Sequence, residues 1–447
     1  MERTERPGPA SVDAGALEGA LAKLAPHARA ATEADAVAGV IPRVVVEPET
    51  EEEVAAVLRY ASSEGLAVIP RGGGTQLDYG APPRRADIIL SLARLNGVIE
   101  HAPHDLTVTV RAGTPLADLQ RLLGEARQWL ALDPPLAPGA TIGGIIATNA
   151  SGPRRQRYGG VRDQIIGVRV ALSDGTIARG GGKVVKNVAG YDLPKLYTGA
   201  LGTLGVVLSA SFRIYPIPPF TGSALVEAPT ERPLCALALA ALARPITPTI
   251  LDLFPATETS GAPTLAIHFG SGVEEAITDQ ISTIQRLASE QGATVNVKRG
   301  EDDAAWWRAR EAWMAETPAL DGAEVVVLKA SLLPSDVGAW LAALEAARAD
   351  FTGLSDLRWR ASVGLGLITV RLAGPAGAVA DWGAAIGRLR AGAVERRGSL
   401  VLTATPPALR GRVDPWGPAN GLAIMRGLKA RFDPTDTLNP GRFVGAI

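Results

Sequence analysis

PGATIGGIIATNASG, residues 138–152, is the stretch on which the reading of this 447-residue chain turns. Its small residues Gly139, Gly143, Gly144 and Ala147 leave room for a flat aromatic ring to lie against the backbone. Thr141, Thr148 and Asn149 offer side-chain hydrogen bonds to the polar edge of such a ring. Close packing of a helix on a sheet asks for the same small residues. Upstream, RGGGTQ (Arg71, Gly72, Gly73, Gly74, Thr75, Gln76) follows a short apolar strand, AVIP. Three successive glycines free to take positive φ let a row of backbone N–H groups wrap a pyrophosphate, and Arg71 adds charge; a tight β-turn is the plainer use. Downstream, KNVAGYDLPKLYTGALGTLGVV (186–207) places GTLG, Gly202 to Gly205, just ahead of a buried strand. Each segment has a structural reading, and the three in this order point together to a ligand with a phosphate and a ring.

Strand, glycine loop and helix alternate around these segments. Thr50 and Glu53 form a capping box that opens a helix running to Gly65. DIILSL, LTVTVRA and a helix with Thr114 as cap and Pro115 at its first position follow. IIGVRVAL and TIARGG are joined by the hairpin turn SDG, and GVVLSASFRIYP is the last strand before IYPIPPF closes the domain. The Ala-rich residues 1 to about 40, as in SVDAGALEGALAKLA, carry charges at helical spacing and predict one or two amphipathic helices. From Phe220 to about Leu400, β-rich runs (TLAIHF, TVNVKR, EVVVLKA, LITVRLA) alternate with helices, the pattern of an α+β domain whose antiparallel sheet is covered on one face. The division expected is therefore 1–40 as a helical extension, 41–219 and 220–400 as two domains, and 401–447 as a tail with a helix, NGLAIMRGLKARFDP.

With 47% hydrophobic and 20% charged residues the chain is globular, not disordered. A formal net charge of −1 offers no field for gathering nucleic acid. Cys235 is the single cysteine, so this chain cannot hold an iron–sulfur cluster or a CxxC metal knuckle, and electrons, if handled, ride on an organic cofactor. No basic-then-apolar leader and no apolar run of roughly 18 residues stands out, which reads as a cytoplasmic protein that meets the inner membrane face only through partners.

The quoted segments, together with VVVEPETEEEVAAVLRYASSEGLAVIPRGGGTQL and the closing FDPTDTLNPGRF, resemble the FAD-binding domain of the vanillyl-alcohol-oxidase/p-cresol-methylhydroxylase (PCMH-type) superfamily. Within it the chain is most similar to the FAD-binding subunits of glycolate oxidase complexes, densely over residues 43–219. A Rossmann G-x-G-x-x-G fingerprint is not what these segments offer. The resemblance implies an α+β fold: a PCMH-type FAD-binding domain of two subdomains, followed by an α+β cap domain with an antiparallel sheet. It assigns Arg71 to Gln76 to the FAD pyrophosphate. Pro138, Gly139, Thr141, Gly143, Gly144, Thr148, Asn149 and Gly152 go to pyrophosphate and isoalloxazine, and Gly202, Gly205 and Val206 to the adenine side. Asn439 in LNPG returns to the flavin edge or is a plain turn. Relatives with histidyl-linked flavin carry His where Thr75 stands, and Cys235 lies outside the FAD domain, so the FAD is expected to be non-covalent.

In the larger glycolate oxidase subunits and their 2-hydroxyacid dehydrogenase relatives, histidines of the cap domain bind a divalent metal. The matching stretch here is ASVGLGLITV, with Ser362 and Thr369 at the histidine positions and Leu365 replacing an acid, side chains that supply no imidazole nitrogen. No metal site is expected. His101 and His104 fall on opposite faces of a strand, and His27 and His268 stand apart. WWRARE (306–311) resembles a W-x-x-R-E helix of this family whose Arg faces the substrate pocket. Arg310 is thus a candidate carboxylate clamp, or else part of a surface salt-bridge helix. Lys329 and Arg371 are further candidates, against the alternative that they snorkel to solvent.

The resemblance implies the smaller FAD subunit of a glycolate oxidase-like complex. It would work beside a catalytic flavoprotein subunit and an iron–sulfur subunit, with a small 2-hydroxy acid going to the 2-oxo acid. The alternatives are a free-standing, metal-independent FAD-linked oxidoreductase on another acidic alcohol, and a non-catalytic subunit with structural FAD. At 447 residues the chain is longer than such small subunits, through its first 40 residues and an expanded cap.

Overall fold

A computed structural model describes residues 13–135, 137–183, 190–259, 261–315 and 322–447. Lys186 to Ala189 of the third glycine segment, and the first residues of the Ala-rich stretch, lie outside that set. Four strands, β1 (Ala28–Ala30), β2 (Val44–Val46), β3 (Val68–Arg71) and β4 (Ile88–Ser91), form a sheet in the order β1-β2-β4-β3, parallel except at β1. Side chains alternate across a strand, so Val44 and Val46 enter the large core while Val45 joins Ile69 and Ile89 in a small cluster on the other side. That double burial is why VVV reads as one apolar run.

The second sheet holds β5 (Val98–Ala102), β6 (Thr107–Arg111), β8 (Ile165–Ala171), β9 (Ile177–Gly181) and β10 (Val206–Arg213) in the antiparallel order β5-β6-β10-β8-β9. A two-stranded ribbon pairs β7 (Gln128–Trp129) with β11 (Tyr215–Pro216). The helix Ile142–Thr148 lies against β6 and β10, where Ala112 N–H donates to the Leu208 carbonyl and the Ala112 carbonyl accepts from Gly143 N–H. The C-terminal tail returns to the first sheet, with Val68 N–H donating to Thr437 and Asn439 N–H to Val68.

A third, wholly antiparallel sheet is built from β12 (Phe220–Glu227), β13 (Ile250–Phe254), β14 (Thr264–Ser271), β15 (Thr294–Arg299), β16 (Ala323–Ser331), β17 (Asp356–Ser362), β18 (Leu367–Pro375) and β19 (Ser399–Ala404). Its order is β15-β12-β14-β13-β17-β18-β16-β19. Helices Glu231–Leu242, Glu274–Glu290, Val337–Ala346 and Gly383–Glu395 bury one face, on which Leu253, Ile267, Leu328, Ala361 and Val370 lie. The other face is divided. Helix Gly300–Ala315 covers Leu225, Ile250, Phe254 and Ala266, whereas β16, β17 and β18 present Lys329, Arg358, Arg360, Thr369 and Arg371. The PCMH-type FAD-binding architecture with an antiparallel α+β cap is the fold expected from the sequence.

One local expectation is met by a single helix and two are corrected. The N-terminal stretch makes one described helix, Ala14–Ala22, and its continuation is the edge strand β1, because β2 offers a free hydrogen-bonding edge there. Pro115, with an extended ψ of 137°, is the cap of helix Leu116–Glu125; Thr114 Oγ1 instead accepts the Gly97 N–H at 2.8 Å. In the capping box, Thr50 Oγ1 takes the Glu53 N–H at 3.1 Å, but the Glu53 carboxylate reaches Glu49 N–H at 2.7 Å, one residue before the cap.

Candidate cofactor cleft and the cap-domain face

A cleft opens where the first sheet meets helix Ile142–Thr148. Arg71, Gly72, Gly73, Gly74, Thr75, Gln76, Thr141, Gly144, Ala147, Thr148 and Asn439 line it, joined by residues the sequence reading did not single out: Pro70, Leu77, Pro134, Ala140, Ile145, Ala150, Leu201 and Arg442. Of these only Pro134 lies outside the quoted motifs; the others stood in them without an assigned role, Arg442 in FDPTDTLNPGRF beside LNPG.

The glycines of RGGGTQ do different work. Only Gly74 has positive φ, +74°; Gly72 and Gly73 are needed for close approach. A Cβ on Gly72 would lie 2.0 Å from Thr141 Oγ1, and one on Gly73 would lie 1.7 Å from the Gly139 carbonyl oxygen. The Gly73 N–H donates to Thr141 Oγ1 at 3.3 Å. Arg71 is held by an ion pair, Nη1 to Asp35 Oδ1 at 2.9 Å.

The remaining assigned residues surround the cleft without lining it. Pro138 is exposed in a 3₁₀ turn; Gly143 packs against Ala112; Asn149 ends helix Ile142–Thr148 at φ 50°. Gly152 gives its N–H to Asp133 Oδ1 at 3.1 Å. Gly202, at φ +67°, abuts Pro70 and the Asn439 amide, Gly205 packs on Tyr197, and Val206 begins β10, buried. Asn439 donates Nδ2–H to the Leu201 carbonyl at 2.5 Å, which fixes the amide and leaves Oδ1 buried with no partner among the described residues. Arg442 spans the cleft floor with Nη2 donating to the Leu77 and Tyr79 carbonyls, at 2.5 and 2.7 Å; burial lowers its pKa to about 10.

A glycine cradle that any Cβ would fill, an Arg at its rim and a buried acceptor without a donor fit a dinucleotide carrying a pyrophosphate and hydrogen-bonding donors. FAD is such a ligand. The loop 71–76 and Thr141 would hold its phosphates, and Asn439 Oδ1 would accept from one of its N–H or O–H groups.

On the cap side the sequence candidates separate. Arg310 pairs with Glu258 at 3.1 Å, donates to the Glu258 carbonyl at 2.8 Å and stacks over Trp306 at 4.5 Å. It is neither a surface salt bridge nor a free clamp. Lys329 and Arg371 are diagonal neighbours on one face, Lys329 opposite Thr369 and Arg371 two residues further along β18. Neither forms an ion pair with a described carboxylate. Burial lowers the pKa of both, with Arg155 of helix Arg155–Tyr158 adding to the effect at Lys329 and Arg358 at Arg371. Ser362 Oγ donates to Asp252 Oδ1 at 2.7 Å, and Arg360 lies 3.4 Å from Asp252 Oδ2. Burial raises the Asp252 pKa against the pull of Arg360. Asp133, which accepts Gly152 and Arg154 N–H groups, is pushed up to about 6 by burial, against Arg154 and Arg360. Ser362, Leu365 and Thr369 flank the β17–β18 turn, and among the described residues no three His, Cys, Asp or Glu side chains converge. His101 bonds Gln128 at 2.9 Å, His27 pairs with Glu49, and His268 lies 3.4 Å from Asp303.

A cleft of this construction is one a flavoprotein uses to hold a flavin dinucleotide. The FAD binding domain family matches residues 42–181, and the C-terminal domain of FAD linked oxidases matches residues 416–443. D-2-hydroxyglutarate dehydrogenase of Xanthomonas citri pv. viticola is 30% identical over 427 residues, 90% of this chain and 89% of the relative. Glycolate oxidase subunit GlcD of Bacillus subtilis is 36% identical over 178 residues, 40% of this chain and 38% of the relative. The fold is shared with p-cresol methylhydroxylase, at a TM-score of 0.74 and 16% identity over 97% of each chain. The chain belongs to the family of FAD-linked oxidoreductases with a PCMH-type FAD-binding domain, and its cofactor is FAD. Among the described residues no helix is long and apolar enough to cross a membrane.

Proposed function

We propose that this chain oxidises the carbinol of a small 2-hydroxy acid to the 2-oxo acid, with non-covalent FAD in the cleft. One observation carries the reading: Lys329 and Arg371 are diagonal neighbours on the cap face, both desolvated, Lys329 beside Arg155 and Arg371 beside Arg358 and Asp356, and neither is ion-paired with a described carboxylate. Like charges held together out of water call for an anion between them, and a substrate carboxylate supplies it. The relatives named for D-2-hydroxyglutarate, glycolate and D-lactate support the class of acid. Bound FAD supplies the acceptor for the hydride of the carbinol carbon. The chain's own part is to fix the carboxylate by Lys329 and Arg371 and to hold the cofactor in the Arg71–Gln76 loop.

The test is the visible spectrum of the FAD-loaded protein during anaerobic addition of glycolate, D-lactate and D-2-hydroxyglutarate. Bleaching by one of them is the expected result; a flavin that stays oxidised with all three, with and without partner subunits, overturns the proposal.

A second reading keeps the chemistry and moves it to a complex, in which this chain is the smaller FAD subunit beside a catalytic flavoprotein and an iron–sulfur subunit. It is favoured by Ser362, Leu365 and Thr369 at the positions where the resemblance expects metal ligands, and by the single cysteine. It requires that bleaching appear only when those subunits are added. Both readings treat the chain as metal-independent, so chelator leaves its part unchanged.

A further inference from the structure

We infer that Asp35 is a positioning residue of the cofactor site: it holds Arg71 at the rim of the cleft with one edge of the guanidinium engaged and the other left for the FAD phosphates. The residue belongs to the N-terminal stretch, outside the segments matched to FAD binding, and reaches the site through tertiary structure alone.

Asp35 is built to be a fixed point. It ends the 3₁₀ turn Glu33–Asp35, and its carboxylate closes a capping box by accepting Thr32 N–H at 3.0 Å. Thr32 Oγ1 adds a contact at 3.2 Å. Arg29, from β1, grips the same carboxylate with two nitrogens, at 2.8 and 2.9 Å. β1 is itself pinned by its pairing with β2. The remaining capacity of Asp35 goes to Arg71 Nη1 at 2.9 Å, across 36 residues of sequence. The carboxyl is 5% exposed, and the Arg29 hydrogen bonds hold its pKa far below the usual carboxylate range.

Arg71 lines the cleft, and among the described residues its guanidinium makes only this one hydrogen bond. A guanidinium carries five N–H donors, so most of its capacity is available to an anion. Two guanidinium groups on one carboxylate leave net positive charge at the rim, so Asp35 orients Arg71 without cancelling its attraction for a pyrophosphate. Without Asp35 the long side chain would have to be ordered by the cofactor, which weakens binding by about tenfold on the usual scale for one immobilised side chain.

The experiment is a double-mutant cycle read as FAD affinity, by flavin fluorescence on titrating apoprotein, with Asp35→Asn, Arg71→Ala and the double variant. Apoprotein melting curves serve as the folding control. Asp35→Asn is expected to weaken FAD about tenfold, and to add nothing once Arg71 is Ala. Arg29→Ala, which removes two of the contacts that fix the Asp35 carboxylate but keeps the Asp35–Arg71 pair, is expected to weaken FAD less than Asp35→Asn does and to add nothing once Arg71 is Ala. An unchanged affinity for Asp35→Asn overturns the inference. Equal and additive losses in the cycle, or a loss for Arg29→Ala as large as for Asp35→Asn, also overturn it, since each would mean that Asp35 acts through the fold and not through Arg71.

Discussion

The backbone of Gly73 passes so close to that of Gly139 that a methyl group on Gly73 would sit 1.7 Å from the Gly139 carbonyl oxygen. Two of the three glycine segments therefore touch each other and form one wall of the cleft. Gly73→Ala must push them apart by more than an ångström, a displacement that costs on the order of a hundredfold in a positioned site. The variant is expected to purify with little flavin while its apoprotein keeps the parent's circular dichroism. Gly74 is the contrast: at φ +74° an added Cβ would meet, among the described residues beyond its chain neighbours, only Leu77 Cδ1, at 3.7 Å. Asn tolerates that conformation, so Gly74→Asn should retain most of the flavin. Absorbance at the flavin band against that of the protein decides both.

Lys329→Met tests the cap face separately from the cleft. The substitution keeps the length of the side chain and removes its charge, next to Arg371 and Arg155, so the fold loses a like-charge contact and no ion pair. Flavin content should be unchanged, and stability equal to the parent's or slightly higher. The rate of anaerobic flavin reduction at subsaturating hydroxy acid should fall by roughly a hundredfold, as for loss of a desolvated charged contact. Loss of flavin together with loss of reduction would place Lys329 in the architecture instead.

Much of this was open to reading along the chain, and the limit of that reading has a physical cause. RGGGTQ, PGATIGG and LNPG were legible because a backbone pressed against another backbone or a ligand tolerates only glycine or small residues, a restriction written locally. Asp35 was not, because a single carboxylate in an Ala-rich stretch carries no local mark of the guanidinium it will meet. The same holds for Gly202 and Gly205, whose neighbours Asn439 and Tyr197 are set by tertiary contact, so that packing and ligand contact look alike in sequence. Lys329 and Arg371 could be placed on strands, but their adjacency depends on the β16–β18 register, which the sequence does not display.

Asp133 supplies a pH signature. Burial raises its pKa to about 6 from an unfolded value near 4, so the folded state binds the proton more tightly than the unfolded one. The resulting stabilisation is complete below about pH 4 and lost as the pH rises through about 6, because the folded protein must then hold a poorly solvated carboxylate. Two pKa units correspond to at most about 3 kcal/mol, and less here because Asp133 is only half-buried. Denaturant unfolding of the parent and of Asp133→Asn at several pH values between about 4 and 7 gives the comparison. The stability of the parent relative to the variant should decline across that window, and parallel curves would show that Asp133 titrates normally.

Lys429 and Asp433 hold the C-terminal tail against the cleft. The Lys429 ammonium, 4% exposed, donates to Asp433 Oδ2 at 2.5 Å and to the Thr203 and Leu438 carbonyls at 3.1 and 2.7 Å. Asp433 also accepts the Thr437 and Leu438 N–H groups, at 3.1 and 2.8 Å. The pair thereby shapes the turn that delivers Asn439, and with it the unpartnered Oδ1 of the cleft. Lys429→Met strands a buried carboxylate and two carbonyls, which costs about 3–5 kcal/mol, whereas Lys429→Met with Asp433→Asn removes the isolated charge and should recover part of that loss. Flavin affinity should follow in the same order, since a loosened turn no longer places Asn439. Urea unfolding of the apoproteins measures the first effect and FAD titration the second; a Lys429→Met protein that unfolds like the parent yet binds FAD poorly would separate the tail's role in the cleft from its role in the fold.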